Sequence, residues 1–209
     1  MGNRLFETKV CSGAFFHWLD GVVVWAFLSR GKTDVPLVFA LSGGQAAGIY
    51  SSAQKLVSLF PQIAASLEGV FSPKFASNPT NHRQLFTQYL VLVSLICLGL
   101  LLLIPLAPIL VPLLFGEKYL PAVGVFRLLL ISLIPFFFSG PLASSILYRF
   151  GRSNYHFLVS IISLFISLGL YFLLVPAFGE TGAAVTAILT NTAALIFYRL
   201  VFQKLAKHD

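Results

Sequence analysis

The chain has 209 residues, of which 57% are hydrophobic and 10% are charged, and its formal net charge is +7. Ordinary soluble domains carry roughly 25% charged residues, and a soluble fold of this length could not bury so much apolar surface. The composition therefore excludes a soluble protein and predicts an all-α, polytopic membrane bundle. A basic surface beside anionic lipid headgroups accounts for the net charge without nucleic acid as a partner.

Six hydrophobic segments predict six transmembrane helices in one membrane domain, residues 13–203, because each crossing needs ~20 apolar residues. The predicted helices are residues 13–42, 45–72, 85–104, 121–148, 155–175 and 181–203. Residues 1–12 are expected to form a cytoplasmic N-terminal segment and residues 204–209 a cytoplasmic tail. Most Lys and Arg residues lie on the side of the termini, which predicts cytoplasmic termini and a multi-pass protein of the inner (plasma) membrane.

Charged residues interrupt the first predicted helix near its end, at Arg30, Lys32 and Asp34. Charge at bilayer depth is costly and persists mainly where it faces a bundle interior, a wet cavity or a substrate. Residues 30–34 therefore form either a solvated loop between two apolar stretches or part of one long helix.

The second predicted helix carries a polar stripe, because its polar residues recur at intervals of three and four. The stripe consists of Ser51, Lys55, Ser58, Gln62 and Ser66. Lipid offers no hydrogen-bonding partners, so the stripe faces either a wet central cavity or polar packing between helices. Opposite it lie the apolar Leu56, Phe60, Ile63 and Leu67. Glu68 falls off the stripe and is expected to be an interfacial charge.

Cations near such a cavity would suit an anionic substrate such as a diphosphate. If residues 13–42 form one helix, Arg30 and Lys32 lie beside the stripe that carries Lys55, and Asp34 balances Arg30 at a spacing of four. The predicted substrate-binding residues are Arg30, Lys32, Asp34, Ser51, Lys55, Ser58 and Gln62.

The sequence predicts neither an enzyme nor a cofactor or metal site. The histidines His17, His82, His156 and His208 have no metal-ligand spacing among themselves or with the cysteines, and the chain contains no phosphate-binding Gly-x-x-x-x-Gly-Lys-Ser/Thr loop. His17 and Asp20 share one helical face, either as a satisfied polar pair between helices or as a proton relay. Cys11 and Cys97 lie far apart in apolar surroundings and are expected to be unreactive thiols.

Four stretches resemble the polysaccharide and O-antigen flippases of the multidrug/oligosaccharidyl-lipid/polysaccharide exporter superfamily. They are Asp34 to Lys55 with its Gly48-Ile49-Tyr50 turn, Phe115-Gly116-Glu117-Lys118-Tyr119, Leu147 to Arg152, and Val175 to Ala184. Each motif alone is weak, but their order and their positions at helix boundaries are specific. The resemblance covers Trp25 to the C-terminus and matches only the second six-helix lobe of these flippases.

The resemblance implies two six-helix lobes around a cavity, a polyprenyl-diphosphate-linked oligosaccharide as cargo, and translocation across the cytoplasmic membrane in support of lipopolysaccharide or polysaccharide synthesis. The first lobe is absent, so the chain is expected to be either a truncated piece or a half that pairs with a second copy or a separate N-terminal lobe. The alternative is a non-transporting remnant or accessory subunit. Export of cationic drugs is disfavoured because the predicted site is itself positive.

Overall fold

The computed structural model describes residues 30–77 and 82–207, with side chains for residues 34–75 and 82–207. Every regular element in these ranges is helical, so the predicted all-α class is confirmed for them. The elements are α1 Arg30–Val57, α2 Leu59–Ser77, α3 His82–Phe115, a 3-10 turn Glu117–Tyr119, α4 Ala122–Ser144, a π turn Ser145–Arg149 and α5 Ser153–Ala206. Cys11, the His17–Asp20 pair and most of the first predicted helix lie outside the described residues.

Three stretches are long and apolar enough to cross a membrane, namely His82–Phe115, Ala122–Arg149 and Ser153–Ala206. Large apolar side chains cover their outer faces; Leu113, for example, is 76% exposed and Phe165 is 69% exposed. An apolar surface of this extent suits lipid rather than water. The protein is therefore a membrane protein. The sequence predicts six spans, whereas three of the described helices meet these criteria of length and hydropathy.

The chain reverses direction inside α1, at Gly43. This glycine has φ 84° and ψ 178°, a conformation that only glycine adopts without strain. Asp34 and Tyr50, on either side of it, are 16 residues apart and would be separated by ~24 Å in a straight helix. Their side chains instead lie within 3.4 Å, so α1 is a helical hairpin with arms 30–42 and 44–57.

A second reversal divides α5 at Gly179, which has φ 58° and ψ −132°. The turn is so tight that a Cβ atom on Gly182 would overlap the carbonyl of Leu174. Farther from the turn, the Tyr198 hydroxyl and the His156 Nδ1 atom lie 3.1 Å apart although 42 residues separate them in sequence. The arms of α5, residues 153–178 and 180–206, are therefore antiparallel along their length.

The two hairpins meet at their reversals, around α4. The Ser42 hydroxyl, next to the first reversal, donates a hydrogen bond of 2.8 Å to the Val175 carbonyl, near the second. Carbonyls in the last turn of a helix lack an intrahelical donor, so this contact satisfies one of them. α4 packs against α1, α2, α3 and α5 and supplies the centre of the core, including Val125, Leu130 and Leu133.

One end of the bundle gathers the start of α3, the π turn and the end of α5. The Phe202 ring lies 5.5 Å from the Phe86 ring and 5.9 Å from the Phe150 ring, measured between centroids. We call this the basic end, because it carries the exposed cations Lys74, Arg83, Arg149, Arg152, Arg199, Lys204 and Lys207. The reversals at Gly43 and Gly179 lie at the opposite end. This separation of charge is the pattern that orients membrane proteins.

α3 continues through Pro105, Pro108 and Pro112, although the sequence predicts its end at residue 104. A proline removes the N–H group that would bond the carbonyl four residues earlier, so Pro108 leaves the Ile104 carbonyl without its helical donor. The half-buried Arg127 of α4 replaces that donor with a 3.2 Å hydrogen bond from Nε. This contact helps α3 to remain helical as far as Phe115.

Candidate functional site

The polar stripe lies on the outside of the described bundle. Lys55, Ser58 and Gln62 are exposed and Ser51 is half-buried. The serine hydroxyls donate hydrogen bonds to nearby backbone carbonyls of α1, from Ser51 to Gly48 at 3.0 Å and from Ser58 to Lys55 at 2.8 Å. The Lys55 ammonium and the Gln62 amide are therefore the groups of the stripe with hydrogen-bonding capacity to offer a ligand.

The opposite side of the same helices packs inward. Leu56, Phe60 and Leu67 contact the main core, while Ile63 is 43% exposed. Among the described helices, none covers the exposed side chains of Lys55, Ser58 and Gln62. The alternative of polar packing against another helix stays open, because residues 13–29 of the first predicted helix lie outside the described residues. That the stripe faces a wet cavity stays a prediction.

Residues 30–34 are helical rather than a loop, because α1 begins at Arg30. The side chains of Arg30 and Lys32 lie outside the described residues, but the hairpin fixes the height of their backbone. Since Asp34 lies opposite Tyr50 and the arms are antiparallel, Arg30 stands at the level of Gln54 and Lys55. The hairpin thus brings the backbone of the predicted cation cluster to one height in the bundle.

Asp34 lies in a cluster that the sequence did not predict. This half-buried carboxylate accepts a hydrogen bond of 3.4 Å from the Tyr50 hydroxyl. The Tyr171 side chain, from the first arm of α5, interacts with both Asp34 and Tyr50. The two tyrosines are almost fully buried, at 1% and 3% exposure. We call Asp34, Tyr50 and Tyr171 the carboxylate cluster; it joins both arms of α1 to α5.

A second carboxylate, Glu68, lies in an open groove between α2 and the π turn. The groove has a volume of about 470 Å³ and is lined by Ala65, Glu68, Gly69, Ser72, Pro73 and Tyr148. The sequence predicts only an interfacial charge at this position. Nothing in the spacing of residues indicates the groove, because it is formed by parts of the chain about 80 residues apart in sequence.

The chain matches the model of a known protein family. A family model described as "Polysaccharide biosynthesis protein" matches residues 15–124, more than half of the chain. The chain belongs to the polysaccharide biosynthesis protein family. The match includes both arms of α1, the polar stripe and all of α3. It begins at residue 15, whereas the resemblance to flippases begins at Trp25. The flippase-like motifs at residues 147–152 and 175–184 lie beyond it.

A curated relative supports the same assignment. The chain is 27% identical over 186 residues to the capsular polysaccharide biosynthesis protein CapF of Staphylococcus aureus. The alignment covers 83% of this chain and 46% of CapF, so the chain spans about half the length of this relative. No solved structure matches the chain.

Proposed function

We propose that the protein is one lobe of a flippase that moves a lipid-linked oligosaccharide, a polyprenyl diphosphate glycan, across the cytoplasmic membrane. Its family provides a role in polysaccharide biosynthesis, and its apolar helices provide the membrane location. The observation that best supports a transport function is the exposed polar stripe of α1 and α2. The rest of the bundle's outer surface is rich in large apolar side chains.

The stripe needs water or polar protein around it. An ammonium or amide group facing hydrocarbon would lose its hydrogen bonds to water without replacement. The side chains of Lys55 and Gln62 are exposed, and their ammonium and amide groups have no hydrogen-bonding partner among the described residues. A water-filled cavity along the stripe satisfies both groups and provides a path for a polar cargo.

The charge of this region suits a diphosphate. Arg30 and Lys32 stand on the first arm of α1 and Lys55 on the second, with Arg30 and Lys55 at the same height. Arg guanidinium and Lys ammonium groups bind phosphate oxygens with charge-assisted hydrogen bonds. In this proposal the three cations hold the diphosphate while the glycan follows through the cavity, and no bond of the cargo is broken.

The cavity is completed by a second lobe. The chain spans about half the length of CapF, and in this proposal the other wall of the cavity comes from a second copy of the chain or from a separate N-terminal lobe. The basic end faces the cytoplasm, because its cations match the pattern of cytoplasmic loops.

Substitution of the cavity cations tests the proposal. We expect Lys55→Ala, and more completely Arg30→Ala/Lys32→Ala/Lys55→Ala, to abolish complementation of a strain that lacks its polysaccharide flippase. Immunoblotting of membranes checks that the variants are still inserted. Lys118→Ala is the matched control, because Lys118 is an exposed lysine in the 3-10 turn, away from the stripe. Full complementation by the triple variant would contradict a role for these cations.

The chain matches only about half of the length of CapF, which favours one alternative function. In this alternative the protein is a non-transporting remnant or an accessory subunit of a polysaccharide synthesis complex. This alternative predicts that the chain does not support flipping even when it is overproduced alone, and that it co-purifies with one specific membrane partner. Complementation by the chain in the absence of any other flippase lobe would exclude it.

A further inference from the structure

We infer that the groove beside Glu68 binds the headgroup of an ethanolamine phospholipid. The groove opens on the outside of the bundle between α2 and the π turn, next to the basic end. No residue of the polar stripe lines the groove, so this inference goes beyond the proposed transport function and does not depend on it. Three features argue for this ligand: the carboxylate, the acceptors around it, and the position of the groove next to the basic end.

The carboxylate of Glu68 has no cation of its own in the described structure. The side chain is exposed, and among the described residues it makes neither an ion pair nor a hydrogen bond. One oxygen turns toward α4, where it lies 3.8 Å from the position that a Cβ on Gly140 would occupy. A carboxylate at the surface of a membrane helix is stabilised when a cationic group binds to it.

The groove offers further acceptors beside this carboxylate. Pro73 has no N–H group, so the carbonyl of Gly69, four residues earlier, lacks its helical donor. The hydroxyl of Ser72 also differs from those of Ser51, Ser58 and Ser66, because among the described residues it makes no hydrogen bond. A primary ammonium group carries three N–H donors, which matches a carboxylate, a carbonyl and a hydroxyl.

The position of the groove next to the basic end indicates that this ammonium belongs to a phospholipid. Arg149 follows the lining residue Tyr148 in the chain and is exposed, whereas Lys74 lies over the Phe71 ring on another face of α2. The ethanolamine headgroup joins its ammonium to a phosphate through a two-carbon link, so a lipid with its amine at Glu68 would place its phosphate toward Arg149 and the basic end. Tyr148, which is 43% exposed, is of the residue type that collects at the headgroup level of a membrane.

Native mass spectrometry of the purified full chain tests the inference. The protein would be equilibrated with equal amounts of phosphatidylethanolamine and phosphatidylcholine, whose trimethylated amine donates no hydrogen bonds. We expect the wild type to prefer phosphatidylethanolamine by about tenfold, which corresponds to one charge-assisted hydrogen bond. Glu68→Gln should reduce this preference to about onefold, while binding of phosphatidylglycerol, which depends on the cations, stays unchanged.

Two further variants make the result specific. Glu117→Gln removes an exposed carboxylate at the opposite end of the bundle and should retain the preference. Gly69→Leu keeps the charge of Glu68 but fills the groove; no atom lies within 4 Å of a Cβ on Gly69, so the helix should tolerate the change. We expect Gly69→Leu to lose phosphatidylethanolamine binding as Glu68→Gln does, and it provides the test if the glutamine variant does not fold.

The inference is wrong if the wild type binds the two lipids equally, or if Glu68→Gln and Gly69→Leu both keep the preference. A change in oligomeric state on Glu68→Gln, without a change in lipid preference, would also overturn it. That result would show that the groove receives a basic side chain of a neighbouring polypeptide.

Discussion

Asp34 shows how one carboxylate can be accommodated inside a membrane bundle. It is held by two phenols, one from the other arm of its own hairpin and one from α5. A phenol donates a hydrogen bond to the carboxylate, and its ring fills apolar space. The cluster therefore satisfies a charged group and also fastens the α1 hairpin to the rest of the bundle.

A double-mutant cycle at this cluster measures how much it stabilises the hairpin. We expect Tyr50→Phe to lower the free energy of unfolding by about 1 kcal/mol, because the carboxylate loses a donor in a buried site. In an Asp34→Ala background the same substitution should cost much less, since its partner is already gone. SDS-induced unfolding in detergent micelles provides the measurement. Tyr155→Phe serves as the control, because the Tyr155 hydroxyl makes no hydrogen bond with a described residue. Equal losses in both backgrounds would show that Tyr50 and Asp34 are not coupled.

At the scale of one helix, α3 illustrates how a neighbour can compensate for proline. Three prolines in its last turns would be expected to end it, and a freed carbonyl facing lipid would be costly. Arg127 reaches across from α4 to the Ile104 carbonyl. Its charged group also gains an acceptor inside the bundle by this contact.

This compensation predicts that Arg127 and Pro108 are energetically coupled. Arg127→Leu should lower the free energy of unfolding by about 1–3 kcal/mol, because the Ile104 carbonyl is left without a donor. In a Pro108→Ala background the helix regains its own N–H donor, so the effect of Arg127→Leu should fall by roughly half or more. Unfolding of the four proteins in detergent, followed by circular dichroism, gives the coupling energy. Undiminished destabilisation in the Pro108→Ala background would mean that Arg127 acts through other contacts.

The elements differ in how far their sequence determines them. The reversals could be anticipated, because Gly43-Gly44 and Gly179 lie between apolar segments and the predicted helices stop at residues 42 and 175. The end of α3 could not, because its continuation to Phe115 depends on Arg127, in another helix. Local patterns report local conformation, whereas compensation by a distant residue is a property of the packed bundle.

The same distinction applies to the candidate site. The spacing of Lys55, Ser58 and Gln62 predicts a shared face, and in the structure all three are exposed. The partners of Asp34 were not predictable, because Tyr50 lies across a chain reversal and Tyr171 comes from α5. Sequence spacing suggests Arg30 as the counter-charge of Asp34, and this stays a prediction because the Arg30 side chain lies outside the described residues. The two tyrosines are partners that the spacing does not indicate.

At the scale of the whole molecule, the distribution of charge divides the bundle into two ends. The basic end carries exposed cations from α2, α3, α5 and the π turn, while the opposite end carries Lys118 together with Glu117 and Glu180. Such an imbalance favours one orientation during insertion, with the basic end retained in the cytoplasm. The stripe then runs from Ser51, nearer the reversals, to Ser66, nearer the cytoplasm.

Cysteine labelling tests this orientation. In a Cys11→Ala/Cys97→Ala background, Lys118→Cys should react with a membrane-impermeant maleimide in intact cells, whereas Lys204→Cys should react only after the cells are permeabilised. Both side chains are exposed at opposite ends of the bundle, so each variant controls for the reactivity of the other. Labelling of Lys204→Cys in intact cells and of Lys118→Cys only after permeabilisation would invert the orientation, and labelling of both from one side would contradict the arrangement of the ends. With the predicted result, Glu68 lies toward the cytoplasmic leaflet, and the lipid that it binds must come from that leaflet.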